Sequence, residues 1–148
     1  MRTYYMKNDN LFDAVCLKIK NEGEYSTITS GVSMYPMLRD KKDIVVVKKA
    51  DSVKKNDVIL YRRKDTANLV LHRVISVTDD SYLTRGDNTY YLESVKKEDI
   101  AGVLSAFYRR GKYHDAKKDT GYKIYVFFMR LFYPVRFLFV AIRSKLKK

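Results

Sequence analysis

The stretch LVLHRVISV, residues 69–77, decides the fold class of this chain. It is rich in Val, Ile and Leu and contains neither Gly nor Pro, a composition typical of a β-strand. Five runs of similar character, separated by polar turns, accompany it: EYSTITS at 24–30, DIVVVKK at 43–49, DVILYRR at 57–63, SYLTRG at 81–86 and AGVLSAFYRR at 101–110. Because no helix-length pattern lies between them, the sequence predicts a mainly β fold, an antiparallel sheet or a partly closed barrel.

Helical patterns occur at the two ends of the chain. In residues 9–20 the apolar side chains fall on one face of a helix, which we expect to end at Gly23; they are Leu11, Phe12, Val15, Cys16 and Ile19. For a chain of 148 residues we predict one domain in three parts. These are a helical segment over 1–23, a β domain over 24–112 and a basic amphipathic helix over 113–148.

The apolar C-terminal segment, residues 122–148, is interrupted by basic residues and by Pro134. It is therefore a poor candidate for an uninterrupted membrane-spanning helix of about 20 residues. On a helical wheel of about 100° per residue, an arc of roughly 140° contains nine apolar side chains and excludes the basic ones. The nine are Ile124, Phe127, Phe128, Leu131, Phe132, Val135, Leu138, Phe139 and Ile142. This pattern predicts an amphipathic helix on an anionic membrane surface; the alternative is a helix that covers the domain's own core.

Charge and cysteine content restrict the partners and the compartment. Thirty Lys and Arg against 17 Asp and Glu give a net charge of +13, which attracts nucleic acid or an anionic membrane. Cys16 is the only cysteine, and His72 and His114 are far apart in sequence, so we expect no disulfide, no structural metal and no cofactor. The amino terminus lacks the pattern of a secretory signal. We therefore expect a cytoplasmic or peripheral membrane-associated protein.

A possible nucleophile lies in TSGVSMYPML, residues 29–38, where Ser33 stands among turn residues. A serine hydroxyl is a weak nucleophile unless a neighbouring base takes its proton. Packing in an apolar strand would fix the ring of His72, as a general base requires, whereas His114 is predicted in a polar loop. A carboxylate that orients the imidazole could come from Asp87 or Glu93.

Five elements in this order resemble the successive motifs of the S24/S26 serine peptidase superfamily: SGVSMYPML, DVILYR, LVLHRVI, YLTRGDN and IAGVL, within residues 29–104. This superfamily contains the signal peptidases and the self-cleaving repressors of the LexA type. Its bacterial signal peptidases and LexA-like members use a serine with a lysine base. Archaeal and endoplasmic reticulum signal peptidases carry histidine instead, and HRV makes this sequence similar to the histidine type. The resemblance implies a signal-peptidase/LexA-like β fold.

The resemblance also implies roles for individual residues. Ser33 would be the nucleophile and His72 the general base. The third position of the triad falls on Glu93 where the family has aspartate, and Asp87 is the alternative orienting group.

The substrate loop departs from the family pattern. Many signal peptidases have a serine two residues before the nucleophile, where this chain has Gly31. The oxyanion hole would then use backbone amides, with Gly31 allowing close approach, while Met34 and Pro36 shape a substrate-facing loop. The family's N-terminal transmembrane helix has no counterpart in the sequence.

The function expected from these features is a serine endopeptidase that processes a precursor peptide or protein at or near a membrane. One alternative is a LexA-like regulator that binds nucleic acid. Residues 1–23 are too short for a helix-turn-helix domain, and we interpret Ala101–Gly102, which is similar to a self-cleavage site, as coincidence. A second alternative is a catalytically silent β module that binds a membrane or a partner.

Overall fold

The computed structural model describes residues 8–49 and 51–146, and the side chains of residues 8, 9, 140 and 144 are not described. The first seven residues and the last two lysines, which the sequence analysis included in its terminal segments, lie outside this description. The described helices and strands are α1 (Asn8–Glu22), β1 (Glu24–Ile28), β2 (Ile44–Lys48), β3 (Val58–Arg62), β4 (Leu69–Val77), β5 (Ser81–Arg85), β6 (Glu93–Lys96), β7 (Ile100–Arg109), β8 (Lys112–Asp115), α2 (Thr120–Leu131) and α3 (Tyr133–Leu146).

The strands form one sheet in the order β1-β2-β7-β3-β4-β5-β6, and β8 pairs with β7. Every one of these pairings is antiparallel. The predicted mainly β, antiparallel fold is confirmed. In this order β1 is an edge strand, and the chain that follows it carries Ser33.

Helix α1 packs on the sheet through the predicted apolar face. Phe12, Val15 and Ile19 are buried in a cluster with Val47 and Leu60. Burial of three such side chains contributes about 1.5–3 kcal/mol each, which holds the helix on the sheet. The helix ends at Glu22, directly before Gly23 as predicted.

At the C-terminus, the prediction of one continuous helix is wrong. Helix α2 ends at Leu131, α3 begins at Tyr133, and the two are bent by 66°. Pro134 explains the break, because it has no amide hydrogen and its ring clashes with the carbonyl four residues earlier, so proline is tolerated only in the first turn of a helix. His114, which the sequence placed in a polar loop, lies in β8, stacks on Phe107 and contacts Asp119.

Helix α2 has one face packed on the core, and both C-terminal helices expose apolar side chains. Tyr122 is buried in the core, and Tyr125 and Val126 pack against it. All nine side chains of the predicted apolar arc are exposed, by between 47% for Phe128 and 70% for Phe139. Helix α2 therefore covers the core, which agrees with the alternative that the C-terminal segment packs on its own domain. An apolar surface on α2 and α3 is still exposed to solvent.

In the part of the chain that the structure describes, no helix alone has the length and apolar character needed to cross a membrane. The required length and composition are reached only when two helical stretches on either side of the bend are taken together, Thr120–Leu131 and Tyr133–Arg143.

One buried ion pair joins the sheet to α2. Arg73 of β4 and Asp87, which follows β5, are each 3% exposed at the side chain, and two bonds of 2.8 Å join them in bidentate geometry. Tyr122 accepts a further hydrogen bond from Arg73 at 3.1 Å, and Tyr125 donates one to Asp87 at 2.9 Å. Burial alone would lower the pKa of Arg73, but Asp87 raises it above the usual value, so the guanidinium stays charged.

Replacing Asp87 with Asn should destabilise the protein by about 3 kcal/mol, because the Arg73 charge would be left buried without its partner. Urea unfolding measures this difference. Asp79→Asn is the matched control, since Asp79 is exposed, and surface changes of this kind alter stability by less than about 0.5 kcal/mol. Equal stability of the two variants would show that the pair does not hold the fold together.

Candidate active site

Ser33 lies on the loop between β1 and β2, and this loop is fixed at its base. The amide of Thr29 donates to the carbonyl of Asp43 at 2.9 Å, and its hydroxyl donates to the Arg39 carbonyl at 2.6 Å. The carboxylate of Asp43, 1% exposed, accepts a hydrogen bond from Arg39 Nη2 at 2.6 Å. The loop is therefore closed by buried polar contacts.

Two residues predicted to shape a substrate-facing loop have mainly anchoring contacts. Met34 is buried in the core with Met37 and Leu38, although it also reaches a cavity beside Ser33. Pro36 is half-buried, and its carbonyl accepts a hydrogen bond from Arg109 of β7. These contacts fix the backbone on the C-terminal side of Ser33.

His72 lies in β4, opposite Ile59 of β3, and is 2% exposed. The structure brings it next to Ser33. A Cβ built on Gly86 would stand 3.1 Å from His72 Nε2 and 3.1 Å from Ser33 Cβ. Both functional side chains therefore border the same small space above Gly86. The Ser33 hydroxyl makes no hydrogen bond to any described residue in this state.

Gly86 is a site residue that the sequence analysis did not single out. Its missing side chain matters because a Cβ there would lie 2.6 Å from the Ser33 carbonyl oxygen, closer than real contacts permit. Any other residue would push the Ser33 loop away from His72. The glycine of the RGDN turn was visible in the sequence. The sequence alone did not show that the Ser33 loop packs against this turn.

The two candidate carboxylates have different surroundings. Glu93 Oε2 lies 3.7 Å from His72 Nδ1, too far for a hydrogen bond, while the Tyr61 hydroxyl lies 3.1 Å from the same nitrogen and contacts Glu93 Oε2. Arg63 forms an ion pair with Glu93 at 3.0 Å. Asp87 is bound to Arg73, as described above. The geometry thus favours Glu93 over Asp87 as the carboxylate that lies next to His72. Asp87 has a structural role in its ion pair with Arg73.

The sequence analysis also missed Tyr61, which is 2% exposed. Its position depends on strand register: Ile59 pairs with His72, and Tyr61 is two residues further along β3, on the same face as Ile59. Thr84 of β5, fully buried, contacts the Tyr61 hydroxyl at 3.3 Å. An apolar strand with one tyrosine gives no indication of such a contact before the register is known.

The backbone near Ser33 is fixed from two sides. The amide of Asn88 donates to the Ser33 carbonyl at 2.7 Å, and its side-chain amide donates to the Val32 carbonyl at 3.1 Å. Gly31 has a φ of +87°, and its amide donates to Asp40 Oδ1 at 2.8 Å. That amide is thus occupied, whereas the Ser33 amide has no acceptor among the described residues.

Helix α3 also contacts the Ser33 loop. Arg136 Nη2 donates to the Tyr35 carbonyl at 2.9 Å and to Asn88 Oδ1 at 3.1 Å. The same guanidinium therefore contacts the Ser33 loop and the turn that follows Gly86.

A cavity of about 340 Å³ opens beside Ser33. It is lined mainly by β1, β4 and the loop that carries Ser33. Apolar residues that line it include Ile28, Val45, Leu60, Leu69 and Leu71. Its volume is at the lower end of the range of about 300–1,000 Å³ found for ligand sites. It offers space for an apolar side chain next to the serine.

Burial lowers the pKa of His72, and the negative charge of Glu93 opposes this only in part. The imidazole is therefore neutral near neutral pH, as a base that accepts a proton must be.

Among the described residues, no group of His, Cys, Asp and Glu side chains is arranged to hold a metal ion. In comparisons with known proteins, no family model and no curated protein sequence matches this chain.

The lowered pKa of His72 predicts a loss of stability in mild acid. Between its folded value and the unfolded value of about 6.5, the unfolded state binds more protons, so the free energy of unfolding decreases as the pH falls below about 6.5. His72→Gln should have a smaller pH dependence in urea unfolding. A histidine NMR titration, with His72 assigned from the variant, should give a midpoint below about 6.5; a higher midpoint would contradict the prediction.

Proposed function

We propose that this protein is a serine endopeptidase of the signal-peptidase-like S24/S26 type, with Ser33 as nucleophile and His72 as general base. One observation carries the proposal: Ser33 Cβ and His72 Nε2 stand at the same distance, 3.1 Å, from the Cβ position of Gly86. A serine, a buried neutral imidazole and a carboxylate network behind it form the arrangement that acyl transfer needs. The antiparallel β fold and the order of motifs agree with the resemblance.

In the proposed reaction, Ser33 Oγ attacks the scissile carbonyl and gives its proton to His72 Nε2. The oxyanion that forms accepts a hydrogen bond from the Ser33 amide. His72 then protonates the leaving amine, the C–N bond breaks, and an acyl-enzyme remains. Water attacks this ester with His72 again as base, which releases the second product and restores Ser33.

The substrate is proposed to bind in an extended conformation. Strand β1 is at the edge of the sheet, so a peptide can add to it through main-chain hydrogen bonds. An apolar side chain of such a peptide would then reach the cavity next to Ser33.

A fluorophosphonate probe, which acylates activated serines, tests the assignment without a known substrate. It should label Ser33, and Ser33→Ala should remove the label. His72→Ala should slow labelling by about 10³-fold or more, because the hydroxyl loses its base.

Ser30→Ala is the matched control, since Ser30 is exposed and lies on the same loop. Labelling of the Ser30→Ala variant should equal that of the wild type. Absence of labelling on folded wild-type protein would favour the catalytically silent module, and undiminished labelling of the Ser33→Ala or His72→Ala variant would disprove the assignment.

We further propose that α2 and α3 place the enzyme on an anionic membrane surface. The nine exposed apolar side chains of the predicted arc lie on these helices. Residues 120–146 contain five Lys and Arg and no Asp or Glu. An apolar face with only cationic neighbours complements the interface of an anionic bilayer.

Vesicle co-sedimentation tests the membrane contact. The protein should bind vesicles of phosphatidylcholine with phosphatidylglycerol, and added salt should weaken this binding. The double change Leu138→Asp and Phe139→Asp should lower the affinity at least about tenfold, because the buried apolar area is lost. Leu17→Asp is the control, since Leu17 is exposed on α1. Equal binding of both variants would contradict the assignment.

A further inference from the structure

We propose that Tyr61 is the positioning residue of His72, and that Glu93 acts on the imidazole only through the Tyr61 hydroxyl. The site would then be a chain of four groups, Ser33, His72, Tyr61 and Glu93, rather than a triad. The catalytic consequence rests on the proposed function; the hydrogen-bond arrangement does not.

The distances favour an indirect contact. Tyr61 Oη lies 3.1 Å from His72 Nδ1, within hydrogen-bond range, whereas Glu93 Oε2 lies 3.7 Å from that nitrogen. The tyrosine hydroxyl donates to this same carboxylate oxygen. Tyr61 therefore stands between the histidine and the acid.

A count of protons then determines the histidine tautomer. The phenol has one proton, and a carboxylate can only accept, so Tyr61 donates to Glu93. Burial and the hydrogen bond to Glu93 both raise the pKa of Tyr61 above its usual value, so the phenol keeps its proton. Its oxygen must accept from His72. Nδ1 of His72 consequently carries the proton, and the lone pair of Nε2 faces the space it shares with Ser33.

This tautomer is the one that a base for Ser33 requires. During attack, the Ser33 proton moves to Nε2 as the bond from Oγ to the carbonyl carbon forms. The Nδ1 proton stays on His72 and the phenol proton stays on Tyr61, so neither transfers toward Glu93. Tyr61 thus orients the imidazole ring and supplies a neutral hydrogen-bond acceptor for Nδ1. The charges of Glu93, Arg63 and Asp87 act on the pKa of His72.

The tautomer is measurable by NMR of protein labelled with ¹⁵N-histidine, without any substrate. In the wild type, His72 should be found as the Nδ1–H tautomer. Tyr61→Phe keeps the ring in place but removes the acceptor, so the variant should show a mixture of tautomers. Tyr82→Phe is the control, because Tyr82 pairs with Val77, at the far end of β4 from His72, and its spectrum should match the wild type. An Nε2–H tautomer in the wild type, or an unchanged tautomer in Tyr61→Phe, would overturn the proposal.

Kinetics provide the second readout. Tyr61→Phe should lower the rate of fluorophosphonate labelling by about 10²-fold or more, as expected when a catalytic histidine loses its tautomer. Glu93→Gln combined with Tyr61→Phe should be no slower than Tyr61→Phe alone, because the acid acts through the tyrosine. Additive losses would show that Glu93 reaches His72 independently and would overturn the proposal. If the tautomer is as expected but no variant or wild type is labelled, the proposed function fails and the Tyr61 assignment stands.

Discussion

The buried pair of Arg73 and Asp87 is the constraint on which the rest of the structure depends. Arg73 directly follows His72, and Asp87 directly follows Gly86, so one bidentate contact sets the separation of the two backbone segments that border the site. The same pair receives Tyr122 and Tyr125 and thereby holds α2. Two charges removed from water are tolerated because each finds several partners. The geometry of the candidate site and the position of α2 therefore have a common origin.

The fold class was accessible from the sequence because strand and turn signals are local, and the pairing of Ser33 with His72 was an expectation from the order of motifs. Strand periodicity identifies β4, and the turn residues around Ser33 and Asp87 identify the loops. Ser33 and His72, distant in sequence, border the same small space in the structure. Glu93 Oε2 lies 3.7 Å from His72 Nδ1, farther than the direct hydrogen bond expected of a triad acid. These residues lie in short elements whose local composition carries the information.

Features that depend on register or on long-range packing were not accessible. Tyr61 reaches His72 only because β3 and β4 pair with Ile59 opposite His72. Gly86 is essential only because a loop more than fifty residues away packs on it. The C-terminal segment was treated as one helix because a helical wheel extends through any sequence, whereas Pro134 ends the regular hydrogen bonding. In each case the missing information was geometric.

The contact of Arg136 with the Tyr35 carbonyl and Asn88 connects α3 to the Ser33 loop. Where such a contact couples the binding of two ligands, the coupling is reciprocal. Under the proposed function, a membrane surface that favours one orientation of α3 would change the affinity of the Ser33 loop for a peptide by some factor. A peptide seated beside Ser33 would then change the affinity of α3 for that surface by the same factor.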